Sequence, residues 1–140
     1  NYSGELMGPS DAKLKKEVMA LDGALEKVLQ LQPKTYLFKT DEFTDLNLPT
    51  GAQMGFIAQE VQDIFPGVVH ETAHVAHPKP GEDTELRTTE YISINYLSFI
   101  PVLTKAIQEQ QEEIESLKKE KEDLYVRMDQ LEALVEELRK

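Results

Sequence analysis

Residues 100–138 have the sequence IPVLTKAIQEQQEEIESLKKEKEDLYVRMDQLEALVEEL. Apolar side chains recur here at alternating steps of three and four residues, which is the heptad pattern of a coiled coil. Position a holds Ile100, Ile107, Ile114, Lys121, Met128 and Val135, and position d holds Leu103, Gln110, Leu117, Leu124, Leu131 and Leu138. Ten of these twelve positions are apolar, so the sequence predicts one long helix with a narrow apolar stripe.

The narrow stripe has to be buried against a partner. A helix of this length could fold onto its own domain, but more than five heptads favour association with copies of itself. The g and following e positions pair opposite charges, which favours parallel helices in register; the pairs are Glu113 with Lys118 and Arg127 with Glu132. Isoleucine at a with leucine at d favours two helices, whereas the two polar layers suit either state. The heptads therefore leave dimer and trimer open.

Composition limits the possible functions. The 140 residues allow one compact domain plus an appendage, and 26 acidic against 15 basic side chains give a formal net charge of -11. That charge repels phosphate backbones and argues against nucleic-acid binding. No cysteine is present for a disulfide, and no apolar run approaches the ~20 residues that span a bilayer. The chain begins at Asn1 without a methionine or a signal pattern, so we expect a piece of a longer polypeptide.

The first hundred residues predict a small α+β head. Residues 55–65 predict a helix, which Pro66 ends. Four apolar side chains share one face of this helix, namely Ile57, Val61, Ile64 and Phe65. These four side chains, with Phe56, are expected to lie in the core or in an interface. The predicted elements are helices over 22–31 and 55–65, strands over 35–39, 68–69 and 88–94, and loops over 41–53 and 71–87.

Three histidines lie close together in the second predicted loop. His70, His74 and His77 could in principle bind a metal, because imidazole is a common zinc ligand. Neither a cysteine nor a well-placed carboxylate motif accompanies them. We therefore predict no metal site and no cofactor, and keep a histidine-based metal or ligand site as an alternative.

A serine and a lysine near the amino terminus form the candidate reactive pair. In Gly8-Pro9-Ser10-Asp11-Ala12-Lys13-Leu14-Lys15 the Ser10 hydroxyl precedes the Lys15 amine by five residues. Serine becomes a nucleophile when a base removes its proton, and lysine can act as that base where burial or a nearby cation lowers its pKa. Serine before aspartate at the start of a charged segment is, on its own, more typical of a cap.

Several separated motifs occur in the order found in one known family. This chain resembles the carboxy-terminal intramolecular chaperone domain of phage endosialidases and tail fibres, also called the peptidase S74 domain, over residues 10 to about 110. The motifs are Ser10-Asp11-x-Lys13-Leu14-Lys15, then Ala24-Leu25-x-Lys27-Val28 with Leu31, Pro33 and Tyr36, then Gly55-Phe56-Ile57-Ala58-Gln59-Glu60-Val61 with Pro66, then Asn95-Tyr96, Ile100-Pro101-x-Leu103 and Ala106-Ile107.

The resemblance implies a homotrimer that holds three chains together while an upstream β-rich fibre folds, and then releases itself. By motif alignment Ser10 is the nucleophile and Lys15 the base of a Ser-Lys dyad, and the bond cut is Pro9-Ser10. The chain would then be a self-cleaving serine endopeptidase that acts once, on itself. Its partners would be two further copies and the upstream fibre of the same polypeptide, with no nucleic acid and no membrane.

The resemblance also implies a division of the chain and leaves alternatives. We expect the end of a fibre or linker over 1–9, the chaperone head over 10–98 and a trimeric coiled-coil stalk over 99–140. The residues of the Gly55-to-Val61 and Ile100-to-Ile107 motifs resemble the phage and bacterial members of the family most. This likeness favours a virion tail fibre or a bacterial surface or secreted fibre as the host. The alternatives are a trimerisation cap that does not cleave, and the self-cleaving module of a membrane-tethered transcription factor of the myelin regulatory factor type.

Overall fold

The structure, a computed structural model, describes residues 8–76 and 86–139. It confirms the predicted α+β class, with small antiparallel sheets and a long carboxy-terminal helix. Short 3₁₀ turns lie at Ala12–Leu14, Thr44–Leu46, Pro66–Val68 and Tyr96–Ser98. The helices and strands are α1 (Ala24–Val28), β1 (Lys34–Tyr36), β2 (Gln53–Gly55), α2 (Ala58–Ile64), β3 (Val69–Ala76), β4 (Arg87–Ile94) and α3 (Phe99–Leu138).

The first two helices are shorter than the sequence pattern predicted. Gly23 has a φ of +66°, a left-handed conformation that a helix cannot continue through, so α1 begins at Ala24 and not at 22. Residues 15–22, with apolar side chains at helical spacing, form no helix. Gly55 belongs to β2, which pairs antiparallel with β1, so α2 begins three residues later than predicted.

The loop predicted over 71–87 was wrong at both of its ends. β3 continues to Ala76 and pairs in register with β4, whose first residue is Arg87. Residues 77–85 of that prediction, which include His77, lie outside the described part of the chain. The strand was missed because its half-buried positions hold Thr72 and His74, so the usual alternation of apolar and polar side chains is weak. The ladder to β4 supplies the backbone hydrogen bonds that local sequence does not reveal.

The hydrophobic core is built on the first turns of α3. Phe99, Val102 and Ala106 recur at helical spacing and are buried against α1 and α2. Ala24 and Val61 are the most enclosed members, each only 1% exposed. The half-buried side chains around this cluster are Leu25, Val28, Leu31, Phe56, Phe65, Val69 and Ile94. Head and stalk therefore share one helix.

The apolar stripe of α3 faces away from the head. Ile100, Leu103 and Ile107, at the a and d positions, are 61%, 45% and 66% exposed, although their neighbours in sequence are buried. Every residue from 110 to 139 is exposed. Within the described chain, the stripe therefore stays open along the whole of α3. None of the helices that the structure describes is long and apolar enough to cross a membrane.

Candidate functional site

The candidate residues lie in an exposed arm, residues 8–22, that precedes α1. Its only regular element is the 3₁₀ turn Ala12–Leu14. Asp11 caps this turn, because its carboxylate accepts a hydrogen bond of 3.0 Å from the Lys13 backbone N–H. The Lys15 N–H donates to the Ala12 carbonyl at 3.1 Å and closes the turn.

This turn brings Ser10 and Lys15 together. The Lys15 Nζ donates to the Ser10 Oγ at 2.9 Å. Because Asp11 provides the cap, the Ser10 hydroxyl is available to the amine. The Lys13 ammonium, by contrast, lies 3.2 Å from the Asp11 carboxylate.

Both members of the pair are exposed to solvent. A lysine amine accepts a proton from a hydroxyl only when it is neutral, and water favours the charged form. The structure therefore brings the two side chains into contact, with the amine as the hydrogen-bond donor and with no burial of either group.

The end of the arm is fixed to α3 by side chains that the sequence did not single out. Glu109 accepts hydrogen bonds from the backbone N–H groups of Gly23, at 2.9 Å, and Leu25, at 2.7 Å. Lys105 lies 3.5 Å from the carboxylate of Asp22 and 3.8 Å from that of Glu109. The only signal in the sequence is that Gly23 has no side chain with which to cap α1.

The surroundings of Glu109 favour its charged form. The hydrogen bond from the Leu25 N–H has the largest effect on the carboxyl, and the Gly23 N–H and the Lys105 ammonium act in the same direction. Partial desolvation opposes them, since the side chain is 19% exposed. The net result is that the pKa of Glu109 lies below its usual range.

The Gly55-to-Val61 motif has a structural role in the head. A Cβ on Gly55 would lie 2.5 Å from the Tyr96 hydroxyl and 3.2 Å from that of Tyr36. The Tyr96 hydroxyl accepts a hydrogen bond from the Phe56 N–H at 3.2 Å. Glycine at this position lets β2 approach Tyr96, just before α3, which gives the glycine of the motif a structural reason.

Two of the three histidines lie in the described part of the chain, on the same strand. His70 and His74 lie on β3, and four residues of a strand separate them by roughly 13 Å, too far to share one ion. Among the residues the structure describes, no three histidine or acidic side chains cluster in a way that could hold a metal. His77 is outside those residues.

An open groove of about 590 Å³ separates the β3–β4 ribbon from the segment after β1. Aromatic side chains line it, and Ile57, predicted to be core or interface, lies at its edge with 39% of its surface exposed. The lining includes Tyr36, Phe38, Phe43, Phe56, Tyr91 and Tyr96.

The comparison with protein families bears on the segment that contains both the arm and the head helices. A family model described as chaperone of endosialidase, Peptidase S74, matches residues 10–70. The resemblance inferred from the motifs is confirmed. The match begins at Ser10, extends through α1 and α2, and ends at the second residue of β3. It supports an intramolecular chaperone role and is compatible with self-cleavage, while the motifs after residue 70 lie outside the match.

Proposed function

We propose that this chain is a carboxy-terminal intramolecular chaperone that trimerises through α3, assists the folding of an upstream fibre of the same polypeptide, and then cuts itself off. The contact of 2.9 Å between the Lys15 amine and the Ser10 hydroxyl, at the first residue of the family match, is the observation that carries the proposal. In this proposal residues 10–98 form the chaperone head, 99–140 form the stalk, and 1–9 belong to the fibre or linker. A phage-associated fibre is the favoured host.

Assembly through α3 is supported by its open stripe. The seam positions beyond the head are exposed, and burying their side chains is the main gain available to this helix. Tyr125 at an e position and Leu134 at a g position are 51% and 55% exposed and widen the stripe. A wider stripe favours three helices over two, because each helix of a trimer packs against two neighbours.

The proposed reaction begins with attack of the Ser10 Oγ on the Pro9 carbonyl carbon. The Lys15 amine takes the hydroxyl proton, the C–N bond of Pro9-Ser10 breaks, and the Ser10 nitrogen leaves with a proton as a free amine. The Pro9 acyl group is then an ester on the Ser10 oxygen. Water hydrolyses this ester, giving a carboxylate on Pro9 and restoring the Ser10 hydroxyl.

The position of the arm supports a reaction that depends on assembly. Ala20 and Leu21 border a surface pocket with Ile100 and Thr104, so the arm leaves the head beside the edge of the seam. A neighbouring copy packed on that seam would lie close to the arm. We infer that this copy removes water from Lys15 and so favours the neutral amine.

Mass measurement of the freshly expressed chain tests the proposal. Cleavage at Pro9-Ser10 removes residues 1–9, and Ser10→Ala is expected to keep the full mass while folding and assembling normally. Lys15→Ala should also keep the full mass. Lys15→Arg should fail as well, because guanidinium stays protonated and cannot accept a proton.

Lys13→Ala and Lys16→Ala are the matched controls and should still cleave. If one of them blocks cleavage and Lys15→Ala does not, the assignment of the base is wrong. A trimer that keeps its full mass with Ser10 and Lys15 intact would instead favour the second candidate, a structural cap that does not cleave. The exposure of both side chains in the single chain is the observation that favours this candidate.

A further inference from the structure

Helix α1 begins without a cap of its own. Gly23 occupies the capping position, in a left-handed conformation, and has no side chain to accept the free N–H groups of the first turn. The Glu109 carboxylate accepts the N–H of Leu25 in that turn with one oxygen and the N–H of Gly23 itself with the other, across 84 and 86 residues of sequence. A stalk residue therefore completes the start of α1, directly after the arm.

We propose that Glu109 is a positioning residue, which fixes the arm of Ser10 and Lys15 to the stalk so that assembly of the stalk places the pair for self-cleavage. This inference rests on the proposed function. It adds a residue that touches neither the scissile bond nor the dyad, and that acts through the backbone where the arm ends.

A second contact from the same face of α3 supports the proposal. Lys105 lies one helical turn before Glu109 and bridges the carboxylates of Asp22 and Glu109. Asp22 is the last residue of the arm, and Gly23 follows it. The end of the arm is thus held by a side chain pair on the stalk and by two backbone hydrogen bonds.

The heptad register explains how assembly would reach the arm. Glu109 occupies a c position, next to the seam residue Gln110 and two residues after Ile107. Packing of the seam fixes the rotation of α3 about its axis, and Glu109, which faces the start of α1, turns with the helix. The arm should therefore have a defined position relative to a neighbouring copy only while Glu109 holds it.

Glu109→Gln is the informative substitution. The amide keeps the length of the side chain, but only one of its two head atoms accepts a hydrogen bond, and the other is a donor that would face a backbone N–H. Glu112→Gln removes the same charge one turn further along the exposed part of the stalk and serves as the matched control. Val61→Ala destabilises the core of the head without touching the Glu109 contacts, and so reports a purely structural effect.

Three measurements on the full chain test the proposal: sedimentation, the cleavage rate by mass, and hydrogen exchange of the Gly23 and Leu25 amides. With Glu109→Gln we expect an unchanged oligomer, cleavage at least about tenfold slower, corresponding to roughly 1.4 kcal/mol, and faster exchange at both amides. Glu112→Gln should behave like the unaltered chain, and Val61→Ala should cleave at close to the normal rate well below its melting temperature.

Normal cleavage by Glu109→Gln, or unchanged exchange at both amides, would overturn the proposal. Equal slowing by Val61→Ala would also overturn it, since the effect would then follow head stability. If the unaltered trimer does not cleave, the proposed function fails. The exchange measurement still decides whether Glu109 holds the arm, so the two failures are distinguishable.

Discussion

Among single residues, Asp11 caps the turn in which Ser10 and Lys15 meet. Its carboxylate both caps the 3₁₀ turn and lies near the Lys13 ammonium, so the nearer lysine in sequence is held on the aspartate. The turn then directs Lys15 to the Ser10 hydroxyl. A pair five residues apart is thereby brought within hydrogen-bonding distance by one short turn.

The lowered pKa of Glu109 gives a prediction for the dependence of stability on pH. Because the folded pKa lies below the unfolded one, the carboxylate stabilises the fold fully above the usual glutamate range. This contribution is lost as the pH falls through the lowered folded value. Asp22 and Lys105 also face this site, and both side chains are present in the unaltered chain and in a Glu109 variant.

Thermal melting of the unaltered chain and of Glu109→Gln at several pH values checks this prediction. The variant should melt at a lower temperature at pH 7, and the difference should shrink as the pH falls below the usual glutamate range. Glutamine resembles the protonated carboxyl, so the two chains converge in acid. A difference that stays constant down to acid pH would contradict the assigned role of the charge.

The sequence indicated the candidate pair, Ser10 and Lys15, more directly than the side chains that support the arm. Ser10 and Lys15 could be named because motif order and spacing are visible in the chain, although their function is still a proposal. Glu109 could not be named, because its partners are backbone N–H groups that lie far away in sequence. Nothing in a heptad pattern distinguishes a glutamate that contacts the head from one that stays exposed.

At the level of elements, α2 shows why a shared apolar face does not mean equal burial. Val61 is 1% exposed in the core, whereas Ile57 precedes the first turn and is 39% exposed beside the groove. Removing two methyl groups at Val61 leaves a cavity, so Val61→Ala should lower the free energy of unfolding by about 2 kcal/mol.

Ile57→Ala is the internal comparison for α2, with an expected loss of less than about 1 kcal/mol because solvent can occupy the space. Urea denaturation of both variants provides the measurement. Equal losses would mean that Ile57 is buried as well, because another part of the assembly covers the groove. A negligible loss at Val61 would contradict its place in the core.

Elements with a strong local pattern were predicted, and elements defined by pairing were not. The heptads predicted α3, and the apolar spacing around Val61 predicted α2 to within a few residues at each end. β3 was missed beyond its first residue, because Thr72 and His74 occupy two of its four half-buried positions and only β4 completes its hydrogen bonds. Its stability comes from contacts distant in sequence, which a local reading cannot detect.

For the whole molecule, α3 has two separate tasks on two faces. Phe99, Val102 and Ala106 complete the core of the head, while Ile100, Leu103 and Ile107 remain exposed beside them. One continuous helix of 40 residues therefore carries both the apolar stripe and part of the core of the head. In the described chain the heptad stripe does not pack on its own domain. The face of α3 that packs on the head is the one with Phe99, Val102 and Ala106.

Leu124→Asp tests whether the stalk drives assembly and whether assembly drives cleavage. Leu124 is a seam residue, 61% exposed in the single chain, and an aspartate repeated in every copy of the seam would bury carboxylates at a cost of several kcal/mol. Sedimentation should show a monomer. Leu117→Asp, one heptad earlier, should have the same effect.

Val126→Asp separates the seam from the general effect of adding charge. Val126 lies at an f position, two residues after Leu124, and is 55% exposed on the outer side of the stalk, so this variant should assemble and cleave normally.

In the Leu124→Asp monomer, Ser10 and Lys15 keep their turn but no neighbour removes water from the amine, so mass measurement should find the chain uncut. Efficient cleavage in that monomer would show that the arm is sufficient alone, and the dependence on assembly would have to be abandoned. An unchanged oligomer for Leu124→Asp would instead place the assembly contact in the head, where the exposed arm and the groove beside Ile57 would be the surfaces to test next.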